Sequence, residues 1–195
     1  MKLLLATKNP GKAGEMREVF SALRGVDILT LQDIGATKDV EETGETFEEN
    51  AILKATFWQK ETGYCAVADD GGLEIDALGG EPGVKSRRWP GYEADDETLV
   101  QMALAKLQGV PLEKRTARLR TVVALAFPDG RTETATEAIK GVIREEPSEK
   151  RDAGYPFRSL FWLPEIQKFY IDLTDEEHTR FNHRRRALEK IAKLL

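Results

Sequence analysis

Four places in the chain hold residues whose types and spacing can do chemistry. The first is Asp69-Asp70, which ends the apolar run Cys65-Ala66-Val67-Ala68 and is followed at once by Gly71-Gly72. Adjacent carboxylates at the carboxyl end of a buried strand are costly unless paired, hydrated or metal-bound. Glycines beside them let the backbone approach a ligand closely. Carboxylates and water are what Mg²⁺ takes as ligands, with phosphate oxygens completing its octahedron. Two solvated aspartates in a turn is the plain alternative; the conjunction of strand, acidic pair and Gly-Gly favours a site. The second place is Thr7-Lys8-Asn9-Pro10-Gly11-Lys12. A loop between strand and helix offers backbone N–H groups and the positive end of a helix dipole, which favour anions, and Lys12 adds an ammonium. The spacing is not that of a P-loop, and alone it also reads as a turn with a surface lysine. The third is Glu41-Glu42, inside an acidic stretch, with Lys54 on the helix that follows. Either glutamate offers a second carboxylate for a metal and Lys54 a second phosphate contact, although acidic runs and helix lysines ordinarily face water. The fourth is the tail His178, Arg180, Asn182, His183, Arg184, Arg185, Arg186, which contains both histidines. Asn182 is a good N-cap, so His183 and Arg184 fall in a first helical turn, where cations oppose the dipole. An arrangement against local preference points to function; the same run also reads as a nucleic-acid patch.

The elements that must position these residues follow from hydrophobic period and turn chemistry. Leu3 to Ala6 reads as a buried strand, and from Lys12 a helical face of Met16, Val19, Phe20 and Leu23 begins. Val26 to Leu31 reads as a second strand. Thr46 with Glu49 is a capping box, predicting a helix from about Phe47 to Thr62 stopped by Gly63. Cys65 to Ala68 is a strand ending at the acidic pair, and Leu73, Ile75 and Ala77 alternate as a further half-buried strand. Residues 79 to 91 are loop, and Asp96 to Leu107 fits a helix. Arg118 to Phe127 and Thr132 to Ile143 are strands joined by Pro128-Asp129-Gly130. Leu160 to Leu163 is a short strand, Thr174 with Glu177 a second capping box, and the last helix starts near Asn182 with Ala187, Leu188, Ile191, Leu194 and Leu195 as its apolar face. Strands alternating with helices early and a hairpin late predict an α/β fold, a mixed sheet flanked by helices, in a single domain over 1–195.

Composition removes several classes. The 195 residues are 41% hydrophobic and 32% charged, ordinary for a globular protein able to bury a full core. One cysteine, Cys65, excludes a disulfide framework and a Cys-rich zinc site. Lys+Arg 29 against Asp+Glu 34, a net charge of −5, makes a general nucleic-acid coat an unfavoured reading. No stretch approaches the ~20 apolar residues of a membrane span, and the opening apolar run is too short for a signal-peptide core. The expected address is the cytoplasm, which a lone thiol fits.

In order along nearly the whole chain, these blocks resemble the inosine triphosphate pyrophosphatases, which act on non-standard purine nucleoside triphosphates of the dITP/XTP type. Thr7 to Lys12, with Glu15 beyond, is similar to the family's opening T-x-N-x-x-K loop. Glu41-Glu42-Thr43-Gly44-Glu45-Thr46-Phe47-Glu48-Glu49-Asn50-Ala51 followed by Lys54-Ala55 resembles its second block. Asp69-Asp70-Gly71-Gly72-Leu73 through Pro82-Gly83-Val84 and Ser86-Arg87 resembles D-D-S-G-L…P-G-x-x-S-A-R, and Asn182-His183-Arg184 with Ala187-Leu188 resembles S-H-R-x-x-A-L. The resemblance implies an elongated mixed sheet with two lobes and a central cleft, a homodimer, and a Mg²⁺-dependent hydrolysis of a nucleoside triphosphate to the monophosphate and pyrophosphate. It implies that Asp70 accepts the proton of the attacking water and binds Mg²⁺, that Glu41 (or Glu42, one residue on) is the other ligand, and that Thr7, Lys8, Asn9, Pro10, Gly11 and Lys12 hold the triphosphate with Lys54. His183 and Arg184 would face the base.

The chain also departs from that pattern. Gly71 stands where the family has a serine, and Asn182 replaces the serine of S-H-R. In place of G-F-G-Y-D-P stands Gly154-Tyr155-Pro156-Phe157-Arg158-Ser159, and His178 takes the place of a lysine. Tyr155 can keep an aromatic face for stacking, whereas Arg158 puts a pure donor where an aspartate would accept. Tyr155, Pro156, Phe157, Arg158 and His178 are thus candidate base contacts with an altered preference, beside an intact phosphate and metal half. Two other readings fit the blocks less fully: a pyrophosphatase of the septum-inhibitor (Maf) type acting on pyrimidine or modified nucleotides, and a nucleotide-binding regulator without catalysis.

Overall fold

In the computed structural model, which describes residues 1–195, seven strands form one mixed sheet in the order β2-β1-β3-β4-β5-β6-β7. Along the chain these are β1 (Lys2–Leu5), α1 (Pro10–Phe20), β2 (Asp27–Thr30), α2 (Phe47–Thr62), β3 (Cys65–Ile75), α3 (Asp96–Lys106), β4 (Thr116–Ala126), β5 (Thr132–Ile143), β6 (Phe161–Leu163), β7 (Lys168–Phe169), α4 (Asp175–Phe181) and α5 (His183–Ala192). Strand β1 pairs in parallel with β2 (Leu3 opposite Ile28) and with β3 (Leu4 opposite Ala66), while β6 is antiparallel to both β5 and β7. No helix is long and apolar enough to cross a membrane.

The chain divides into two compact units, one made of Met1–Gly71, Thr121–Glu137 and His183–Leu195, the other of Gly72–Arg120 and Ala138–Asn182. In the first unit Leu3, Leu5, Val67, Val123 and Leu125 pack with Met16 and Phe20 of α1 and Ala187, Leu188 and Ile191 of α5. In the second, Leu73 and Ile75 pack with Leu99, Val100 and Ala103 of α3 and with Leu160, Phe161 and Tyr170.

The helix ends follow the predicted cap chemistry. Thr46 Oγ1 accepts from the Glu49 N–H at 3.1 Å and Glu49 Oε2 accepts from the Thr46 N–H at 3.1 Å, while Gly63 closes α2 at φ 70°. The same reciprocal pair forms between Thr174 and Glu177 ahead of α4. One expectation is corrected: the strands expected on either side of Asp69–Gly72 are one, because β3 runs unbroken from Cys65 to Ile75, and Ala77 lies beyond its end. The parallel pairing with β1 covers only Cys65 to Val67, so the acidic pair lies in extended backbone just beyond the end of β1. Leu73 and Ile75, both wholly buried, give the strand a reason to continue. Leu194 is 48% exposed and does not share the buried face of α5, since the helix ends at Ala192. Strand β7 is only two residues long and carries no period to read.

Helix α5 is tied to β5 by charge as well as by its apolar face. Glu137 accepts from Arg186 Nε at 3.2 Å and Lys190 Nζ at 2.6 Å. Burial pushes the Glu137 carboxyl up, but Lys190 and Arg186 outweigh it and hold it below its ordinary 4.5. A depressed carboxyl contributes stability above its unfolded value and loses it as pH falls. Glu137→Gln therefore lowers Tm by about 2–4 °C at neutral pH, the effect of ~1 kcal/mol in a chain of this size. Thermal melts recorded from neutral pH downward should show the gap closing below about pH 4.5; a gap that is constant with pH would contradict the ion-pair origin.

Candidate functional site

The first unit collects the phosphate and metal candidates from four separate stretches. At the mouth of α1, Asn9 caps the helix: its Oδ1 accepts from the Lys12 N–H at 3.2 Å, and the Asn9 N–H donates to Thr7 Oγ1 at 3.2 Å. Pro10 sits at the first helical position, where its missing N–H costs nothing. Pro10, Gly11 and Lys12 are thus the first turn of a helix, not loop. Lys8 is exposed and pairs with Asp39 at 3.1 Å. Lys12 is no free surface ammonium: its Nζ lies 3.0 Å from Asp69 Oδ2.

Asp69 is the centre of a buried charge cluster. Its Oδ2 also accepts from Arg184 Nε at 3.1 Å, and Arg184 Nη1 reaches Glu15 Oε2 at 3.1 Å. Burial alone would drive the Asp69 carboxyl up, but Lys12 and Arg184 override it and hold the group ionised, well below the usual carboxylate range. Its other oxygen, Oδ1, is a buried acceptor with no hydrogen-bond partner.

Asp70 has the opposite environment. Its Oδ2 accepts from Asn50 Nδ2 at 3.2 Å and its Oδ1 from the Gly71 N–H at 2.9 Å, with Lys54 Nζ 3.8 Å from Oδ1. Burial pushes the carboxyl above its ordinary value; Lys54 opposes this and the nearby Glu42 adds to it. Lys54 in turn is held charged: burial would lower it, but Asp70, Asp69 and Glu42 raise it further. Glu42 Oε1 accepts from Lys54 Nζ at 2.5 Å, whereas Glu41 is exposed. Of the two glutamates, Glu42 is the one that the structure brings to Lys54 and near Asp70.

The donor set suits a hard divalent cation. Two carboxylates flank one ammonium and both supply oxygen, the donor such an ion takes. Every member lies in the first unit, as does His183, buried at the start of α5.

In the second unit the expected base contacts form their own cluster. The Arg158 guanidinium lies over the Tyr155 ring at 3.7 Å and 5.6 Å from the Tyr170 ring, and its Nη1 donates to Asp152 Oδ2 at 2.7 Å. His178 packs edge-on to Tyr170 with centroids 5.4 Å apart, and its Nδ1 lies 3.3 Å from Asn182 Nδ2. Phe157 and Pro156 are buried, Phe157 edge-on to Trp89 at 6.2 Å. One face of the Tyr155 ring is thus covered by Arg158.

In the sequence Asn50 figures only as part of the second block, and Asp152 and Tyr170 do not stand out there at all. Asn50 alone carries a signal there, since it precedes Lys54 by four residues and so shares its face of α2. Asp152 and Tyr170 reach Arg158 only through the tertiary fold.

The sequence model of the Ham1 family matches residues 3–194. The chain is 41% identical over 192 residues to the dITP/XTP pyrophosphatase of Bacillus subtilis (strain 168), covering 98% of this chain and 96% of that protein. It is 43% identical over 191 residues to a dITP/XTP pyrophosphatase of Thermus thermophilus, covering 98% and 90%. Among solved structures, a HAM1 protein from Coxiella burnetii superposes with a TM-score of 0.88 at 34% identity, covering 100% of this chain and 98% of that one.

Proposed function

The chain belongs to the Ham1 family, and from that premise we propose that it is a nucleoside triphosphate pyrophosphatase acting on non-standard purine nucleotides such as dITP, ITP and XTP. The observation that carries this reading is the pairing of Asp70 and Glu42 around Lys54, beside Lys12 held by Asp69. The reaction is attack of water on the α-phosphorus, cleavage of the α–β anhydride, and departure of pyrophosphate. Asp70 and Glu42 would hold Mg²⁺, which when bound neutralises phosphate charge and polarises the phosphoryl group. Asp70, whose site already favours taking a proton, orients the water and accepts its proton. Lys12, Lys54 and the amino end of α1, with Thr7, Lys8 and Asn9 leading into it, offset the charge that builds on the departing pyrophosphate. Asp69 does not need to touch the nucleotide: it fixes Lys12 and Arg184.

Base choice we assign to Arg158, with His178 and His183 as further contacts. Asp152 and the Tyr155 ring hold the guanidinium in one place. A guanidinium donates and cannot accept, so it suits the O6 acceptor of a 6-keto purine and meets a second donor at the amino group of adenine. We further propose a homodimer working in the cytoplasm, where Cys65 stays a buried thiol.

The test is product analysis on a panel of triphosphates. ITP, dITP and XTP should yield monophosphate and pyrophosphate, ATP far less, with the activity abolished by EDTA and restored by Mg²⁺. Arg158→Ala should shrink the ITP-over-ATP preference by about tenfold, the ~1.4 kcal/mol of one hydrogen bond from a charged donor. Release of orthophosphate, preference for pyrimidine triphosphates, or tight binding without turnover would each replace this reading.

A further inference from the structure

Asn50 is 2% exposed, and each end of its amide meets one partner. Its Oδ1 accepts from the Gly44 N–H at 2.8 Å and its Nδ2 donates to Asp70 Oδ2 at 3.2 Å. A backbone N–H only donates and an ionised carboxylate only accepts, so the amide can sit only this way round. Gly44 is packed against the same group: a Cβ there would come within 2.7 Å of both Asn50 Oδ1 and Glu49 Cβ. Gly44 lies two residues after Glu42.

We propose that Asn50 is a positioning residue that, through Gly44, ties the segment carrying Glu42 to the carboxylate of Asp70 and so sets the separation of the two acids that would share a divalent ion. Its kinetic arm rests on the hydrolytic reading; its metal-binding arm does not. The amide does what neither an acid nor an alkyl group of the same size can: an aspartate would repel Asp70, and a leucine would leave the Gly44 N–H and Asp70 Oδ2 without a partner.

The experiment compares the parent with Asn50→Leu, Gly44→Ala and the double variant. Mn²⁺ binding is followed by electron paramagnetic resonance without nucleotide, kcat and KM for ITP at saturating Mg²⁺, and folding by Tm. Gly44→Ala, in a half-buried loop, carries the test should Asn50→Leu not fold. Each single variant should weaken Mn²⁺ binding and lower kcat by about 10- to 100-fold, the usual cost of losing an outer partner of a metal ligand. KM for the nucleotide should move by less than about threefold, because phosphate contacts are untouched. The double variant should be no worse than the poorer single, since both break one link. Variants that melt lower yet bind Mn²⁺ and turn over like the parent would make Asn50 a packing residue only, and additive losses in the double variant would also overturn the proposal. A parent that binds Mn²⁺ but releases no pyrophosphate defeats the hydrolytic reading, and the link is then decided by the Mn²⁺ measurement.

Discussion

Asp70→Asn should lower kcat for ITP by about 10²–10⁴-fold, the range for removing a positioned general base, while Tm holds or rises. The two halves of this expectation have one cause. Asp70 is buried beside Glu42, and that environment raises its affinity for a proton. The charged form is thus costly to the fold at neutral pH, and the same strain makes it a competent proton acceptor. An asparagine removes the charge and keeps the shape. Its carbonyl can still accept from Asn50 Nδ2, but its NH₂ then confronts the Gly71 N–H and Lys54, both donors. The variant can neither take a proton nor offer a second anionic oxygen to Mg²⁺. Steady-state assays across Mg²⁺ concentrations, paired with thermal melts, check both halves. A variant within about tenfold of the parent would remove Asp70 from proton transfer.

The neighbouring acid should behave in the opposite way. Asp69→Asn is expected to destabilise the chain by about 3 kcal/mol, because removing one partner of a buried ion cluster strands the others. Lys12 and Arg184 both bond the same Asp69 oxygen, and the Asp69 side chain is fully buried. Arg184 keeps Glu15, which limits the loss, whereas Lys12 loses its 3.0 Å ion pair and keeps only the longer-range attraction of Asp70. For a chain of this size the cost corresponds to a Tm lower by about 6–12 °C, readable by calorimetry. Adding Lys12→Met to the variant should recover part of that stability, since it deletes the stranded cation. A change of less than about 2 °C in Asp69→Asn would show that the cluster contributes little to the fold. Two adjacent residues of one type therefore separate by environment: Lys12 and Arg184 hold Asp69 ionised, while burial raises the proton affinity of Asp70.

Much of the framework is legible in the sequence because it rests on local rules. The Thr46 and Thr174 capping boxes, the Gly63 stop and the Pro128–Gly130 turn each depend on a few consecutive residues, and each stands where the pattern puts it. The Asp69–Gly72 segment misleads for the same reason. Aspartate and glycine favour turns locally, but the burial of Leu73 and Ile75 keeps the strand extended, and only tertiary packing carries that information. Among the candidate site residues, Lys12, Lys54 and Asp70 are visible by type and position. What the sequence does not carry is which acid serves which cation. Glu41 and Glu42 are equivalent in a sequence and differ only in which of them meets Lys54. Asp152 is likewise silent until the fold brings its carboxylate to Arg158 six residues later.

The bond between Arg184 and Asp69 spans 115 positions of the chain. A ribosome that has just made Lys12, Glu15 and Asp69 has therefore delivered three of the four charges of this cluster, and the fourth, Arg184, waits on most of the remaining synthesis. The emerging polypeptide cannot settle this half of the molecule from front to back. Its core and its buried charges are completed only when the last helix has been made.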